Sequence, residues 1–206
     1  MAPPRSRWPV AAGGVAALAV IVGAVVFGPR FLQQSGKSNQ APLAGVEATF
    51  TKLTAQSGVE QFPSLSPDGR WLVYSSGEPG SEDIYLQSVG GQTPINLTKD
   101  STEADTEPAF SPDGERIAFR SERQGGGLFV MGRTGDSPRR ITDSGFNPVW
   151  SPDGSEVLYV TEDIGGSPFS RATTSQLWAV KVATGERRRV SEGDAVQPSW
   201  SLAGAD

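Results

Sequence analysis

The 206-residue chain contains no cysteine and no histidine. Without histidine, neither a Ser-His-Asp nor a Cys-His nucleophile system can be assembled. With both residue types missing, zinc fingers and the usual catalytic zinc ligand sets are excluded as well. No disulfide can form, which by itself does not fix the side of a membrane on which the chain works. No Gly-x-Ser-x-Gly elbow occurs, so a serine-hydrolase half is absent from these residues. The phosphoryl-transfer parts are also missing: there is no glycine-rich loop with its following lysine, no His-Arg-Asp loop and no Asp-Phe-Gly. Gly125-Gly126-Gly127 reads as a hairpin connection, because no helical pattern follows it to receive a phosphate. No catalytic residue and no cofactor are assigned.

What the chain does have is a repeat. Ser-Pro-Asp-Gly occurs at Ser66–Gly69, Ser111–Gly114 and Ser151–Gly154, and a fourth copy opens at Pro198-Ser199-Trp200-Ser201. Successive copies lie 45, 40 and 50 residues apart, a period that signals propeller blades or a solenoid. Each turn follows a short apolar run, Phe62-Pro63-Ser64-Leu65, Pro108-Ala109-Phe110 or Pro148-Val149-Trp150. Each precedes an alternating one, Trp71-Leu72-Val73-Tyr74, Ile117-Ala118-Phe119 or Val157-Leu158-Tyr159. Proline fixes φ at the second turn position, aspartate tolerates the third and glycine accepts positive φ, so the turn joins two antiparallel strands. Asp68, Asp113 and Asp153 are therefore turn formers.

Third strands are expected at Asp83–Gln87, Gly127–Met131 and Gln176–Val180. A glycine-containing turn follows each. Every unit then closes on an outer strand that ends in an apolar residue and a hydroxyl, at Asn96-Leu97-Thr98, Arg140-Ile141-Thr142 and Arg189-Val190-Ser191. Four short strands per unit, with no helical period and regular Gly/Pro punctuation, predict an all-β fold. It is a partial β-propeller of about three four-stranded antiparallel blades plus fragments. An immunoglobulin-like sandwich would not repeat its turn chemistry so literally. Phe50-Thr51-Lys52-Leu53-Thr54 has the look of an outer strand without its blade.

Over roughly residues 50–201 these units resemble the WD-like propeller repeats of the TolB type. Such blades also occur in the propeller domains of prolyl-oligopeptidase-like peptidases and of tricorn protease. The wording is most similar to the C-terminal propellers of bacterial membrane-anchored serine/threonine kinases, in which a kinase domain and one transmembrane helix precede the propeller. That resemblance implies a non-enzymatic protein- or ligand-binding sensor module. The alternatives are the sensor part of a receptor-like kinase and, more weakly, a periplasmic Tol-system component. Three blades, one outer strand and a fragment do not close a ring of about four to eight blades, so the chain reads as truncated. Self-association through the uncovered blade faces is expected with it.

Trp8–Gly28 is a run of 21 uncharged residues, about 30 Å as a helix and long enough to span a bilayer. Its length and the Pro29 that follows favour an uncleaved anchor over a signal peptide, whose apolar region is roughly 7–15 residues. Arg5 and Arg7 ahead of the run weakly favour N-terminus in, which puts the propeller on the periplasmic or extracellular side. The organisation expected is a cytoplasmic segment over 1–7, a transmembrane helix over 8–31, a flexible linker over 32–49 and propeller repeats over 50–206.

The formal charge of −5 is unevenly spread. Before Glu47 there are four basic and no acidic side chains, so the remainder carries 14 basic against 23 acidic, or −9. A domain this acidic is a poor nucleic-acid partner, and Arg187-Arg188-Arg189 reads as a solvated edge strand. Asp100, Glu103, Asp105 and Glu107 lack the spacing and central glycine of a calcium loop, so no metal is assigned. The longest connection, Glu162–Ser175, carries Phe169 and Arg171, the candidate binding residues: an exposed aromatic beside an arginine on a long loop makes a protein-contact anchor.

Overall fold

The computed structural model describes residues 50–54, 58–162 and 174–201. Thr51–Asp206 forms one compact unit. Twelve strands build three four-stranded antiparallel sheets, each in sequence order, among the described residues. The first sheet contains β1 (Glu60–Leu65), β2 (Trp71–Ser76), β3 (Asp83–Ser88) and β4 (Ile95–Asn96). The second contains β5 (Asp105–Phe110), β6 (Arg116–Ser121), β7 (Gly127–Gly132) and β8 (Arg139–Arg140). The third contains β9 (Phe146–Trp150), β10 (Glu156–Val160), β11 (Leu177–Lys181) and β12 (Arg187–Arg189). These are the three expected blades. The expected transmembrane helix lies outside the described residues, and no helix among the described ones is long and apolar enough to cross a membrane.

The repeated turn has the same wiring in all three copies. In the second, Gly114 N donates to Ser111 O and Ser111 N to Arg116 O, each at 2.9 Å. The Ser111 carbonyl is thus bent into the turn, and its hydroxyl replaces it as acceptor for Arg116 N at 2.9 Å. That hydroxyl donates to Asp113 Oδ1 at 2.5 Å, and the same oxygen accepts Glu115 N at 3.0 Å. Ser66 with Asp68 and Ser151 with Asp153 repeat the pattern. Serine is therefore needed for a donor and an acceptor together, and all three are buried. Ser111→Ala is expected to destabilise the fold by about 1–3 kcal/mol by orphaning the strand-opening amide, read from urea unfolding.

These bonds act on the carboxylates. The Ser151 hydroxyl, followed by the Ser155 amide, holds Asp153 down to about 2, and Asp68 and Asp113 are lowered by the same kinds of donor. The stabilisation is present above the ordinary value of 3.8 and is lost as pH falls towards 2. Asp105, raised by burial against the pull of Arg123, works in the opposite direction. With three turns against one buried acid, the melting temperature is expected to fall between pH 4 and pH 2 (about the carboxylate range), and a flat profile would refute the turn wiring.

The outer ladders end earlier than expected, at Asn96, Arg140 and Arg189. The apolar–hydroxyl pair after two of them has its own task. Leu97 N donates to Ile84 O at 2.8 Å while Thr98 Oγ1 accepts Ile84 N at 2.9 Å. Ile141 and Thr142 do the same for Leu128. Residues 50–54 form no strand. A lone outer strand needs a free third-strand edge, and the edge of β11 is already occupied by β12. Leu53 O instead accepts Gln87 Nε2 at 2.8 Å.

Blades stack through two apolar layers. Phe110, Ile117, Phe119, Phe129 and Met131 of the second blade meet Val73, Ile84 and Leu86 of the first. Trp150, Val157, Tyr159 and Val180 of the third meet Ala118, Leu128, Val130 and Ile141 of the second. Alternation along each strand sends successive side chains to opposite neighbours, so one blade serves two layers. The second interface carries extra clamps. Arg116 donates to Gly154 O at 3.1 Å with its guanidinium 4.6 Å from the Trp150 ring. Arg120 donates to Gly145 O at 2.9 Å, 4.0 Å from the Phe146 ring, and Arg139 donates to Val182 O at 2.7 Å. The same repeat positions in the first blade hold Trp71, Ser75 and Ile95.

Candidate functional site

The innermost strands β1, β5 and β9 each contain a proline in the strand interior. Proline supplies no ladder amide, so it belongs at an edge or a bulge. Each inner strand breaks register there: between Gln61 and Ser64, between Thr106 and Ala109, and in β9 opposite Leu158 and Val160. The residue before each proline has positive φ: Phe62 at 52°, Glu107 at 55° and Asn147 at 52°. Positive φ is rare for non-glycine residues, and each instance costs about 1–3 kcal/mol. Three of the five such residues in the described structure thus occupy one repeat position.

That position lines one cavity. Phe62-Pro63, Glu107-Pro108, Asn147-Pro148 and the fourth-copy step Gln197-Pro198 border a cleft of about 480 Å³, with Ser64 and Trp150 also in its wall. Bonds between neighbouring inner strands hold it together. Phe110 N donates to Ser64 Oγ at 3.2 Å, and Asn147 N donates to the Glu107 carboxylate. Trp150 Nε1 donates to Ala109 O at 3.0 Å, and Trp200 Nε1 to Val149 O at 3.3 Å. Trp200 therefore docks on the third blade as Trp150 docks on the second. Phe62 is 42 % exposed at the mouth of the cleft. The three bulged steps put an aromatic, an acid and an amide on the wall of one space, while the prolines stiffen the backbone that carries them.

The expected binding residues Phe169 and Arg171 lie outside the described residues. The cleft was not anticipated from the sequence. The signal for it was present, since proline recurs inside a strand at a fixed distance before each turn.

Within the acidic stretch, Asp105 has a structural role. Asp105 is fully buried and pairs with Arg123 at 2.5 Å, while Arg123 Nε also donates to Ser101 Oγ at 3.0 Å. No group of three or more His, Cys, Asp or Glu side chains among the described residues is placed to hold a metal. The arginine run is likewise engaged. Arg187 pairs with Asp143 at 2.5 Å, Arg188 with Glu156 at 2.6 Å, and Arg189 Nε donates to Ser191 O at 2.9 Å. The carboxylate beside each of the first two holds its guanidinium above the ordinary value.

A sequence profile described as the TolB beta propeller domain matches residues 34–204. An uncharacterised protein of Agrobacterium fabrum is 37% identical over 78 residues, 38% of this chain and 25% of that protein. An uncharacterised peptidase of Bacillus subtilis is 33% identical over 91 residues, 39% of this chain and 13% of that protein. Among solved structures, one named for TolB of Agrobacterium tumefaciens superposes with a TM-score of 0.57 at 26% identity, covering 66% of this chain and 50% of that one. The chain thus spans half of that structure and a quarter or less of the two relatives.

Proposed function

The chain belongs to the TolB beta propeller domain family, and from that premise we propose that it is a protein-binding module whose partner engages the inner-strand cleft. The observation that carries this reading is the clustering of strained backbone. Three equivalent non-glycine residues hold positive φ at the wall of a single cavity. Strain that recurs at one repeat position needs a reason, and presenting side chains into a shared space supplies one. Composition supports a non-catalytic role for these residues, since neither histidine nor cysteine is available.

The finer reading is a sensor held at a membrane. Residues 8–31 would form the anchor, with the propeller on the periplasmic or extracellular side, as the resemblance to the propellers of membrane-anchored kinases implies. A rigid blade stack close to a bilayer would then present the cleft to soluble or envelope proteins.

The test is site-specific photo-crosslinking in native cells. A benzophenone side chain placed at Phe62 or Asn147 is expected to give a discrete higher-mass adduct. The same group at Ile95 or Val190, exposed positions in or beside the outer strands, should give none. Adducts confined to the outer positions, or equal at all four, would refute the cleft as the binding surface.

A further inference from the structure

Asp-Gly is the dipeptide most open to backbone rearrangement, because glycine puts no side chain in front of its nitrogen. In that reaction the glycine nitrogen loses its proton and attacks the aspartate Cγ. The N–Cγ bond forms, a carboxyl oxygen leaves as water, and a five-membered succinimide results. Water then adds back. Opening at the main-chain carbonyl gives isoaspartate, with the backbone rerouted through the β-carboxyl. One water leaves and one enters, and no other reactant is needed.

The repeat contains three such bonds in turns of identical wiring. In each, the glycine nitrogen donates to the serine carbonyl at 2.9 Å, which engages the attacking atom. In each, the carboxylate is held by the serine hydroxyl and by the amide two residues on, which keeps it ionised and a poor electrophile. The turns differ in their cover. A Cβ on Gly114 would lie 3.4 Å from Pro67 Cδ, and one on Gly154 would lie 3.0 Å from Arg116 Nη2 and 3.6 Å from Pro112 Cδ. Both glycines are buried, each later turn being seated against the turn of the preceding blade. Gly69 is exposed, with no atom of the described residues within 4 Å of the same position.

We infer that Asp68–Gly69 is a site of spontaneous isoaspartate formation in this protein. Asp113–Gly114 and Asp153–Gly154 are held against the same rearrangement by the blade that precedes each. Conversion at Asp68 inserts an extra methylene into the turn and frees the Ser66 hydroxyl and the Arg70 amide from their acceptor. It also displays an α-carboxylate of the kind that isoaspartate-repair methyltransferases recognise, on an exposed turn that they can reach.

The experiment ages the full chain at neutral pH and measures isoaspartate at each site by fragmentation mass spectrometry. Folded protein is expected to convert at Asp68 about tenfold faster than at Asp113 or Asp153, with the three rates converging in urea. Arg116→Ala uncovers Gly154 and is expected to raise the rate at Asp153 while leaving Asp68, which Arg116 does not touch, unchanged. Equal rates at the three sites of the folded chain would overturn the inference, as would Asp113 or Asp153 leading, or no response to Arg116→Ala.

Discussion

Gly127→Ala is expected to abolish cooperative folding, with a loss of more than about 4 kcal/mol, a size reserved for mutations with a specific structural cause. Gly127 opens β7 with φ of +135°, a conformation that side-chain-bearing residues rarely adopt. An added Cβ would stand 2.2 Å from Thr142 O and 3.0 Å from Thr142 C. Both are backbone atoms, so no rotamer change relieves the overlap. The segment that must retreat is the one whose Thr142 hydroxyl accepts Leu128 N at 2.9 Å and whose Ile141 amide donates to Leu128 O at 2.8 Å. Those contacts close the second blade, which bears on both apolar layers. Gly69→Ala is the matched control: φ is +68° but the space is open, so the cost is the backbone term of about 1–2 kcal/mol. Urea unfolding followed by circular dichroism separates the two. A Gly127→Ala protein as stable as Gly69→Ala would show that the β7 junction is not where the structure places it.

Trp150→Ala is expected to cost about 3–5 kcal/mol, much of the stability of a domain this size. Trp150 is 6 % exposed, sits in the layer between the second and third blades, donates to Ala109 O and lies under the Arg116 guanidinium. Truncation leaves a cavity and an arginine without its aromatic partner. The repeat contains its own control. Leu65 holds the same position in the first blade but is 54 % exposed, because no described blade packs in front of it. Leu65→Ala is therefore expected to change stability by less than about 1 kcal/mol. Similar losses at Leu65 and Trp150 would contradict blade stacking in chain order.

Much of this architecture was legible in the residues because blade-forming information is local. Serine, proline, aspartate and glycine at fixed spacing specify a turn whose hydrogen bonds run among six consecutive residues. Alternation in runs such as Trp71–Tyr74 and Val157–Tyr159 specifies the strands they bound. The outer strands end a residue or more before the pattern predicts, since Leu97-Thr98 and Ile141-Thr142 bind β3 and β7 through isolated backbone and side-chain hydrogen bonds rather than through a ladder. Phe50–Thr54 has strand-like chemistry, but strand formation depends on a free partner edge, which is not a local property. The cleft was missed for a related reason. Proline inside an inner strand announces a bulge, yet the bulged steps at Glu107 and Asn147 are joined by a contact 40 residues apart in sequence, Asn147 N to the Glu107 carboxylate. The arginine clamps of the second interface are equally non-local, and Arg116 looks like any exposed turn residue until Trp150 and Gly154 are brought beside it.

The cleft exists only if neighbouring inner strands are stitched together, and hydrogen–deuterium exchange of the full chain tests that most directly. Two amides report on it without belonging to any sheet ladder: Phe110 N, which donates to Ser64 Oγ of the preceding blade, and Asn147 N, which donates to Glu107. The account predicts that both exchange as slowly as Ile84 N and Leu128 N, whose acceptors lie within a single blade. Fast exchange at Phe110 and Asn147 beside protected Ile84 and Leu128 would mean that the blades fold without docking, and the cleft with its proposed function would fall.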